Sequence, residues 1–411
     1  MPIINKLTIK GFKSIPNDTL NLGQLNVFIG TNGAGKSNLL EAIAMISCSL
    51  EGGVDYERLQ KRGARLSSSA IFRSAFKNRD RASSLSLEAE LGDTAYSMTL
   101  NAVEGFRYVA ESVKRNGTSV AGRSNNGTKI NGVSLQSRMD NSKGLFPLLE
   151  AYKTLNPESL GKDFSEGNSG LKALSMLKKY AIYSPSTPIL RGVAPDPSAR
   201  EPVGLYGGLL ADALSAILRV NHKNPEFQRF FRMMDWVESF TTTTDVDPEL
   251  ISGQTDIAGR KIRYKDKFMK TNFNYLYAYD VSEGALYIIF MLVLLIHKDS
   301  PDIFAVDNID TALNPGLVRN LMHHVVEILK QNPDKQMFLT THNPSTLDAV
   351  DLFNPTHRLF VVERSIEGHT KTRRVEPPEG MTKEQWEEAY FGMKLSEIWQ
   401  AGAIGGLPSG F

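Results

Sequence analysis

One segment near the amino end has the residue types and the spacing of a phosphate-binding loop. Residues 30–37 fit the pattern G-x-x-x-x-G-K-[ST], with Lys36 and Ser37 in the last two positions. In such a loop the glycines let backbone amides surround phosphate oxygens, Lys36 contacts the β and γ phosphates, and Ser37 ligates Mg²⁺. The residues predicted to bind phosphate and metal here are Gly30, Asn32, Gly33, Ala34, Gly35, Lys36, Ser37 and Asn38.

A carboxylate suited to the same metal ion follows a later apolar run. Residues 303–306 have the pattern of a buried strand, and Asp307 comes directly after them. The next residue is Asn308, at a position where such sites often carry a glutamate that polarises the attacking water. An amide orients a water but accepts its proton poorly, so we expect slow hydrolysis. Asp310 is the nearest acidic alternative, either as the base or as a residue that positions the following turn.

Two more segments are suited to contacting phosphate. His342 follows an apolar strand, 337–341, at a position where it could hydrogen-bond a γ phosphate. Ser282 and Gly284 precede the apolar run 285–296, where a hydroxyl and free amides meet at a helix amino end. This second segment is either an anion site or a plain helix cap, and only the other motifs favour the anion site.

These residues need strands and helices to position them. The hydrophobic pattern predicts a strand at 25–29 and a helix at 36–46, then a strand, a helix and a strand at 303–306, 316–329 and 336–340. Alternating residues between 84 and 120 predict antiparallel strands with a turn at Asn116-Gly117, and 122–143 has the composition of a loop. Helical spacing dominates from 144 to 240. The pattern as a whole is an α/β element split by an insertion.

Composition excludes several classes of protein. The 411 residues include 41% hydrophobic and 22% charged residues, which is typical of a folded, soluble chain with two or three domains. The longest apolar run has 12 residues, too few to span a bilayer, and the amino end lacks the pattern of a secretion signal. A single cysteine, Cys48, excludes an intramolecular disulfide. We therefore expect a cytoplasmic protein without a membrane partner.

In order and spacing, these motifs resemble the ABC-type ATPases of the RecF, SMC and OLD group, often described as AAA-family ATP-binding proteins. Residues 9–14 resemble the opening strand of that family, 281–284 its signature, 311–314 its D-loop and 341–343 its switch histidine. The resemblance implies an ABC-type P-loop ATPase head with an antiparallel β part, ATP and Mg²⁺ as ligands, and a homodimer. In that dimer Ser282 and Gly284 of one subunit contact the γ phosphate held by Lys36 of the other.

The resemblance also implies a division of the chain. We expect the first half of the ATPase head at 1–120, a mostly helical insertion at 121–270, the second half of the head at 271–365 and a tail at 366–411. Asn308 replaces the catalytic glutamate of the family. Gln60 is a weak candidate for its Q-loop glutamine.

The surroundings of the motifs narrow the subgroup. The chain lacks long heptad arms, and only 69 residues follow His342, fewer than a nuclease domain needs. Residues 395–408 look similar to the tails of bacterial defence ATPases such as those of PARIS, Septu and abortive-infection systems. We expect an ATP-dependent sensor and scaffold that controls a separate effector, such as a nuclease or toxin. The alternative is a RecF-like DNA-repair ATPase; the long insertion disfavours a transporter subunit.

Two basic segments leave the question of nucleic acid open. They carry a local charge of +6 and +5, whereas the whole chain carries only +2. They either attract nucleic acid or are solvated loops, some of them beside the ATP phosphates. The first segment, residues 61–81, contains Asp80 and the basic residues Lys61, Arg62, Arg65, Arg73, Lys77, Arg79 and Arg81. The second segment, residues 260–270, contains Asp266 and the basic residues Arg260, Lys261, Arg263, Lys265, Lys267 and Lys270.

Overall fold

The structure is a computed structural model that describes residues 3–77, 80–156, 170–221, 225–245, 247, 249–250 and 259–407. Its strands are β1 Lys6–Phe12, β2 Ile15–Asn21, β3 Leu25–Ile29, β4 Ser84–Leu91, β5 Thr94–Asn101, β6 Arg107–Arg115, β7 Thr118–Ser124, β8 Gly127–Ile130, β9 Val133–Ser134, β10 Ile182–Tyr183, β11 Val237–Thr243, β12 Lys261–Asp266, β13 Tyr275–Tyr277, β14 Ile303–Val306, β15 Gln336–Thr340, β16 His357–Arg364 and β17 Thr370–Val375. Its α-helices are α1 Lys36–Glu51, α2 Tyr56–Gln60, α3 Phe146–Leu155, α4 Leu171–Lys178, α5 Thr187–Leu190, α6 Leu210–Asn221, α7 Pro225–Arg232, α8 Glu283–Ile296, α9 Pro315–Gln331, α10 Lys383–Ala389 and α11 Leu395–Gln400. Short 3₁₀ turns lie at Ser69–Phe72, Thr271–Phe273 and Pro344–Ala349.

A six-stranded sheet joins the two ends of the chain. Its order is β10–β14–β15–β3–β16–β17, and all neighbours are parallel except β17. Val27 of β3 lies opposite Leu339 of β15 and Leu359 of β16, so an early strand sits between two late ones. Every residue of β3, β14 and β15 is buried, as expected for central strands of a parallel sheet covered on both faces. The strands predicted at 25–29, 303–306 and 336–340 are therefore confirmed.

The order of these strands gathers the candidate site residues. β14, β15 and β3 are adjacent and parallel, so their carboxyl ends meet at one edge of the sheet. Asp307 follows β14, Thr341 and His342 follow β15, and Gly30 follows β3. Ser37 and Asp307, which are separated by 270 residues in sequence, thus lie next to each other.

An antiparallel sheet of eight strands covers the amino-terminal half, in the order β2–β1–β4–β5–β6–β7–β8–β9. Buried and half-buried residues alternate strictly along β4 and β5, which places one face of the sheet on the core around α1. The turn predicted at Asn116-Gly117 is confirmed, since both residues have a positive φ between β6 and β7.

A buried carboxylate ties this sheet to α1. Glu111 of β6 accepts hydrogen bonds from the Tyr96 hydroxyl at 2.6 Å and from the amide of Leu145, which precedes α3. Arg123 pairs with the same carboxylate at 2.7 Å, and Ser49 of α1 contacts the Tyr96 hydroxyl. Burial raises the pKa of Glu111, while Arg123 opposes that shift. The network fixes the end of α1 that lies farthest from the phosphate-binding loop.

The loop predicted for residues 122–143 is wrong in part. Three strands, β7, β8 and β9, extend the antiparallel sheet to Ser134. The Asn and Gly residues that suggested a loop form tight hairpin turns, with Asn131 and Gly132 both at positive φ between β8 and β9. The sheet thus runs past residue 120, where we predicted the first half of the head to end.

The insertion contains strands as well as helices. Besides α3 to α7 it holds β10, which joins the central sheet, and most of a three-stranded antiparallel sheet, β11–β12–β13. β10 has only two residues, too few to leave a period in the sequence. Residues 366–411 likewise include β17, which belongs to the central sheet. The other domain boundaries remain predictions.

The most apolar helix, α8, has 14 residues. Across the described ranges, no helix combines the length and the apolarity needed to cross a membrane.

Candidate nucleotide-binding site

The backbone of the loop between β3 and α1 needs glycine at its ends. Gly30 and Gly35 both have a positive φ, and a Cβ on them would collide with the Val362 carbonyl oxygen and the Thr370 side chain. Gly33 also has a positive φ, but a Cβ there would meet open space. The loop is therefore packed against β16 and β17 on one side and open to a cavity on the other, as a phosphate-binding loop requires.

Lys36 is the first residue of α1 and holds the loop in a closed shape. Its Nζ donates hydrogen bonds to the carbonyl oxygens of Gly30 at 2.8 Å and Thr31 at 3.1 Å. Burial lowers the pKa of Lys36, while the carboxylates of Asp307 and Asp310 oppose that shift. The ammonium group bonds to neutral carbonyl oxygens here, so phosphate oxygens would be stronger acceptors for it.

Ser37 and Asp307 form a pair of oxygen donors beside the loop. The Ser37 hydroxyl donates to Asp307 Oδ2 at 3.1 Å, across the sheet edge between α1 and β14. The other Asp307 oxygen accepts from Thr340 Oγ1 at 2.5 Å, which fixes the orientation of the carboxylate. Hard oxygen donors of this kind fit Mg²⁺, which takes one or two protein ligands and fills its other positions with phosphate oxygens and water.

The residues after β14 shape the place where a water would react. Asn308 is exposed and has φ 56°, in the left-handed region that asparagine tolerates better than most residues. Its backbone N–H donates to Thr340 Oγ1 at 2.7 Å, so Thr340 links the backbone of Asn308 to the carboxylate of Asp307. Asp310 is half-buried and has one carboxylate oxygen with no hydrogen-bond partner among the described residues.

His342 lies at the same sheet edge. Partial burial and the neighbouring charge of Lys36 lower the pKa of its imidazole, so the ring is neutral at neutral pH. A neutral imidazole can donate one hydrogen bond to a phosphate oxygen.

These residues surround a cavity of about 600 Å³. One wall is the loop with Asp307, Asn308 and His342, whereas Asp310 does not line the cavity. Other lining residues come from the β1–β2 turn, from residues 65–76 and from Arg81. Lys13 and Ser14 of that turn, and Arg364 at the end of β16, are site residues that sequence reasoning missed; only the resemblance of residues 9–14 to the family's opening strand pointed toward the first two.

The side chains of the first basic segment lie in different places, some in this cavity and one in the protein interior. Arg65, Arg73 and Arg81 line the cavity, which favours the alternative of loops beside the nucleotide phosphates. Arg65 is held by Glu41 at 2.7 Å and by Asn38 at 2.6 Å.

The remaining residues of that segment differ from one another. Arg62 is buried and bonded to Glu51 at 2.7 Å, so its assignment to a nucleic-acid surface is wrong. Lys61 pairs with Glu57 at 2.6 Å, and Lys77 is exposed. Arg79 lies outside the described residues. Gln60 ends α2 and does not line the cavity, so the structure offers no support for it as the Q-loop residue.

The signature segment, residues 281–284, lies outside the nucleotide cavity. Ser282 is the exposed N-cap of α8, and its hydroxyl accepts from the Ala285 amide at 3.4 Å. A Cβ on Gly284 would lie 3.3 Å from the Ala312 carbonyl oxygen, so the signature packs beside residues 311–314. Neither Ser282 nor Gly284 is among the described residues that line the nucleotide cavity.

The carboxyl-terminal segment forms an unforeseen wall of the site. A second cavity of about 400 Å³ is lined by Trp399, Gly406 and Leu407 together with Asn32 and His342, which also line the nucleotide cavity. A Cβ on Gly406 would lie 3.6 Å from Gly30 Cα and 3.7 Å from Trp399 Nε1. Trp399 is buried, and its Nε1 has no hydrogen-bond partner among the described residues.

We expect the fluorescence of Trp399 to respond to nucleotide. Phosphate would draw Lys36 Nζ away from the carbonyls of Gly30 and Thr31. Gly30 lies beside Gly406, and Gly406 lies beside Trp399. The measurement uses Trp236→Phe with Trp386→Phe, which leaves Trp399 as the only tryptophan. Its emission should change saturably on addition of ATP.

The matched control keeps Trp386 alone and should show no change. An unaltered Trp399 spectrum at ATP concentrations that fill the site would contradict the expected coupling.

Several solved structures are similar to this chain. One is the SMC head domain from Thermotoga maritima, which is 15% identical to this chain. The match covers 91% of this chain and 99% of that structure, with a TM-score of 0.46. A second similar structure is the SMC head domain with an extended coiled coil, derived from Pyrococcus furiosus and bound to the C-terminal domain of ScpA. It is 14% identical to this chain, and the match covers 97% of this chain and 98% of that structure with a TM-score of 0.47. No curated protein matches the chain.

A protein-family model matches most of the chain. It is described as "AAA domain, putative AbiEii toxin, Type IV TA system" and matches residues 25–348, about four fifths of the sequence. The matched span includes the phosphate-binding loop, the signature segment, Asp307 and His342. Since this family model covers more than half of the chain, this chain belongs to the AAA_21 family of AAA-domain proteins, with its P-loop between β3 and α1 and with Asp307 and His342 brought to that loop by the strand order.

Proposed function

We propose that this protein is a slowly hydrolysing ATPase that serves as the sensor and scaffold of a bacterial anti-phage defence system and controls a separate effector. The observation that carries the proposal is a phosphate site whose residues within one chain are in place except for a proton acceptor. Lys36, Ser37, Asp307 and His342 are assembled around the cavity, but Asn308 stands where a proton acceptor would be.

In the proposed mechanism each group acts on the triphosphate. The loop amides and Lys36 bind the β and γ phosphates, and His342 donates a hydrogen bond to the γ phosphate. Ser37 and Asp307 would hold Mg²⁺, which neutralises charge on the phosphate oxygens when bound. Asn308 orients the water but cannot take its proton, so ATP persists in the site.

A second subunit completes the site in this proposal. Ser282 and Gly284 lie outside the cavity of their own chain, and Ser282 is exposed. A partner subunit in head-to-tail arrangement would present its Ser282 hydroxyl and the amino end of its α8 to the γ phosphate. ATP would then bridge two subunits, and loss of the γ phosphate would release them. Slow hydrolysis makes the closed dimer long-lived.

The link to defence rests on the family description and on the carboxyl-terminal segment. The family description names a putative AbiEii toxin and a type IV toxin–antitoxin system, which supports a role in a defence system of that kind. Residues 395–408 resemble defence ATPases, and they adjoin the phosphate-binding loop through Gly406. A change in nucleotide state would therefore reach the carboxyl-terminal segment, which is the surface that this proposal assigns to contact with an effector.

The test is the mass of the protein co-expressed with its neighbouring gene product, with and without ATP and Mg²⁺, while phosphate release is followed. An ATP-dependent assembly that contains the neighbour and turns over slowly supports the proposal. Phage plating with both genes then tests defence. A lone dimer that hydrolyses ATP mainly when DNA is added would overturn it in favour of the RecF-like DNA-repair ATPase.

Asn308→Glu is expected to raise ATP turnover about tenfold. A carboxylate supplies the missing proton acceptor, and general bases contribute about 10²- to 10⁴-fold. We expect a gain below that range because the positive φ of residue 308 disfavours glutamate by roughly 1–2 kcal/mol, so the backbone would relax and place the carboxylate less well beside the water. Steady-state phosphate release measures the effect.

Asn308→Gln is the matched control, since it brings the same length and the same backbone strain without a carboxylate. It should not exceed the parent rate. Equal rates for Asn308→Glu and the parent would show that water is activated elsewhere, and Asp310→Ala would then be the next variant to assay.

A further inference from the structure

The three-stranded sheet β11–β12–β13 has one buried face and one solvent-facing face. Phe240 pairs with Tyr264 on the inner face, where both pack into the core. Arg263 and Lys265 alternate with Tyr264 and therefore point outward, and Tyr275 lies opposite Lys265 on the same side. Tyr264, an aromatic residue within the second basic segment, is thus fully buried and takes no part in a surface.

The loop after β12 adds aromatic side chains to the edge of this face. Phe268 and Phe273 are 76% and 67% exposed, and Met269 is also exposed. The loop has a defined shape, because Asp266 accepts hydrogen bonds from the amides of Phe268 at 2.7 Å and Met269 at 3.2 Å. Exposed aromatic rings concentrated in so short a stretch mark a binding surface.

Cations accompany these rings. Lys267 Nζ lies 4.8 Å from the centre of the Phe268 ring, and Arg263 Cζ lies 4.7 Å from the centre of the Tyr275 ring. Within the described ranges, no carboxylate lies at ion-pairing distance from Arg263, Lys267 or Lys270. Their charge is therefore available to a ligand.

Other residues of the second basic segment are already engaged. Lys265 pairs with Glu238 at 2.7 Å and Arg260 with Asp212 at 3.0 Å. Lys261 is buried, with its Nζ bonded to the Gly259 carbonyl oxygen at 3.2 Å. The free positive charge is thus restricted to the part of the sheet that also exposes the aromatic rings.

We propose that this face binds a single-stranded nucleic acid. Bases stack on Phe268, Phe273 and Tyr275, and backbone phosphates bind Arg263, Lys267 and Lys270. Rings beside unpaired cations match unpaired bases joined by phosphates, because each base offers a π-face and each linkage a negative charge. A duplex keeps its bases stacked inside and would use only the cations.

The location gives this binding a route to the proposed contact between subunits. Tyr277 ends β13 five residues before Ser282, the N-cap of α8. The idea that this nucleic acid is the component that the sensor recognises rests on the proposed function. The binding itself does not.

The experiment is fluorescence polarisation of the full-length protein with a labelled oligo(dT) of about 20 nucleotides, at several salt concentrations. Phe268→Ala with Phe273→Ala should weaken binding at least about tenfold, since each stacked base contributes about 1–3 kcal/mol. Lys267→Ala should reduce the slope of log K against log salt by about 0.7. Both aromatic changes are at exposed positions, so folding should be preserved.

Phe391→Ala is the control, since Phe391 is an exposed aromatic residue on the carboxyl-terminal segment and should not affect binding. Failure to bind at low salt overturns the proposal. So does full retention of binding by the double phenylalanine variant, or equal competition by a duplex of the same sequence. Mass measurements of the same variants with ATP test the dimer separately: a double variant that loses oligo(dT) but keeps ATP-dependent assembly separates this proposal from the sensor function.

Discussion

Replacing Lys36 with alanine is expected to abolish ATP binding. In the structure Lys36 Nζ satisfies two loop carbonyls, those of Gly30 and Thr31, and it is the cation placed to exchange them for phosphate oxygens. Hydrogen bonds to charged groups contribute about 1.5–3 kcal/mol each, so losing contacts to two phosphates raises the Kd at least about 100-fold. Isothermal titration with ATP and Mg²⁺ measures this loss.

Lys10→Ala is the matched control, because Lys10 is an exposed lysine on β1 away from the cavity. It should bind ATP like the parent protein. Thermal unfolding without nucleotide separates loss of contact from loss of fold, since Lys36 is buried. A folded Lys36→Ala protein that binds ATP with parental affinity would disprove the assignment of this loop.

The second large effect is expected from Ser282→Arg, which should prevent ATP-driven dimerisation and leave ATP binding by the monomer unchanged. Ser282 is exposed and does not line the cavity of its own chain, so arginine has no route to disturb that cavity directly. In a head-to-tail dimer its long side chain would occupy the space between the two subunits. Light scattering with ATP should report a monomer at concentrations where the parent protein dimerises.

Thr382→Arg provides a control of the same type. Thr382 is also an exposed helix N-cap, at the start of α10, and losing a cap costs about 1 kcal/mol in either helix. The control should dimerise normally. If Ser282→Arg dimerised as well as Thr382→Arg, the subunits would have to meet through another surface.

Much of the central sheet could be predicted because its strands are short, mostly apolar runs followed by polar residues. The pattern of β3, β14 and β15 placed Asp307 and His342 after strands, and parallel pairing brought them to the loop. The helices α1, α8 and α9 were predicted to within a few residues at their ends. The predicted fold class is confirmed. It could be predicted because each of its signals is local in the sequence.

What could not be predicted depends on distant packing. Arg73 and Arg81 carry no local sign that they line the nucleotide cavity rather than a surface for nucleic acid. Trp399 lies 363 residues after Lys36 in the sequence, and no pattern relates the two. Arg62 appeared exposed by its charge, but it is buried because its guanidinium bonds to Ser47, Glu51 and a backbone carbonyl. Tertiary contacts of this kind leave no period in a single sequence.

The position of β3 between β15 and β16 has a consequence for how the protein is made. Leu25 leaves the ribosome 311 residues before Gln336, which at about 5–20 residues per second is roughly 15–60 s of translation. Throughout that time both edges of a mostly apolar strand, which is fully buried in the finished fold, lack their partners. The nascent chain is therefore a client for chaperones that shield apolar segments, and it becomes able to bind nucleotide only after β14, β15 and β16 have been made.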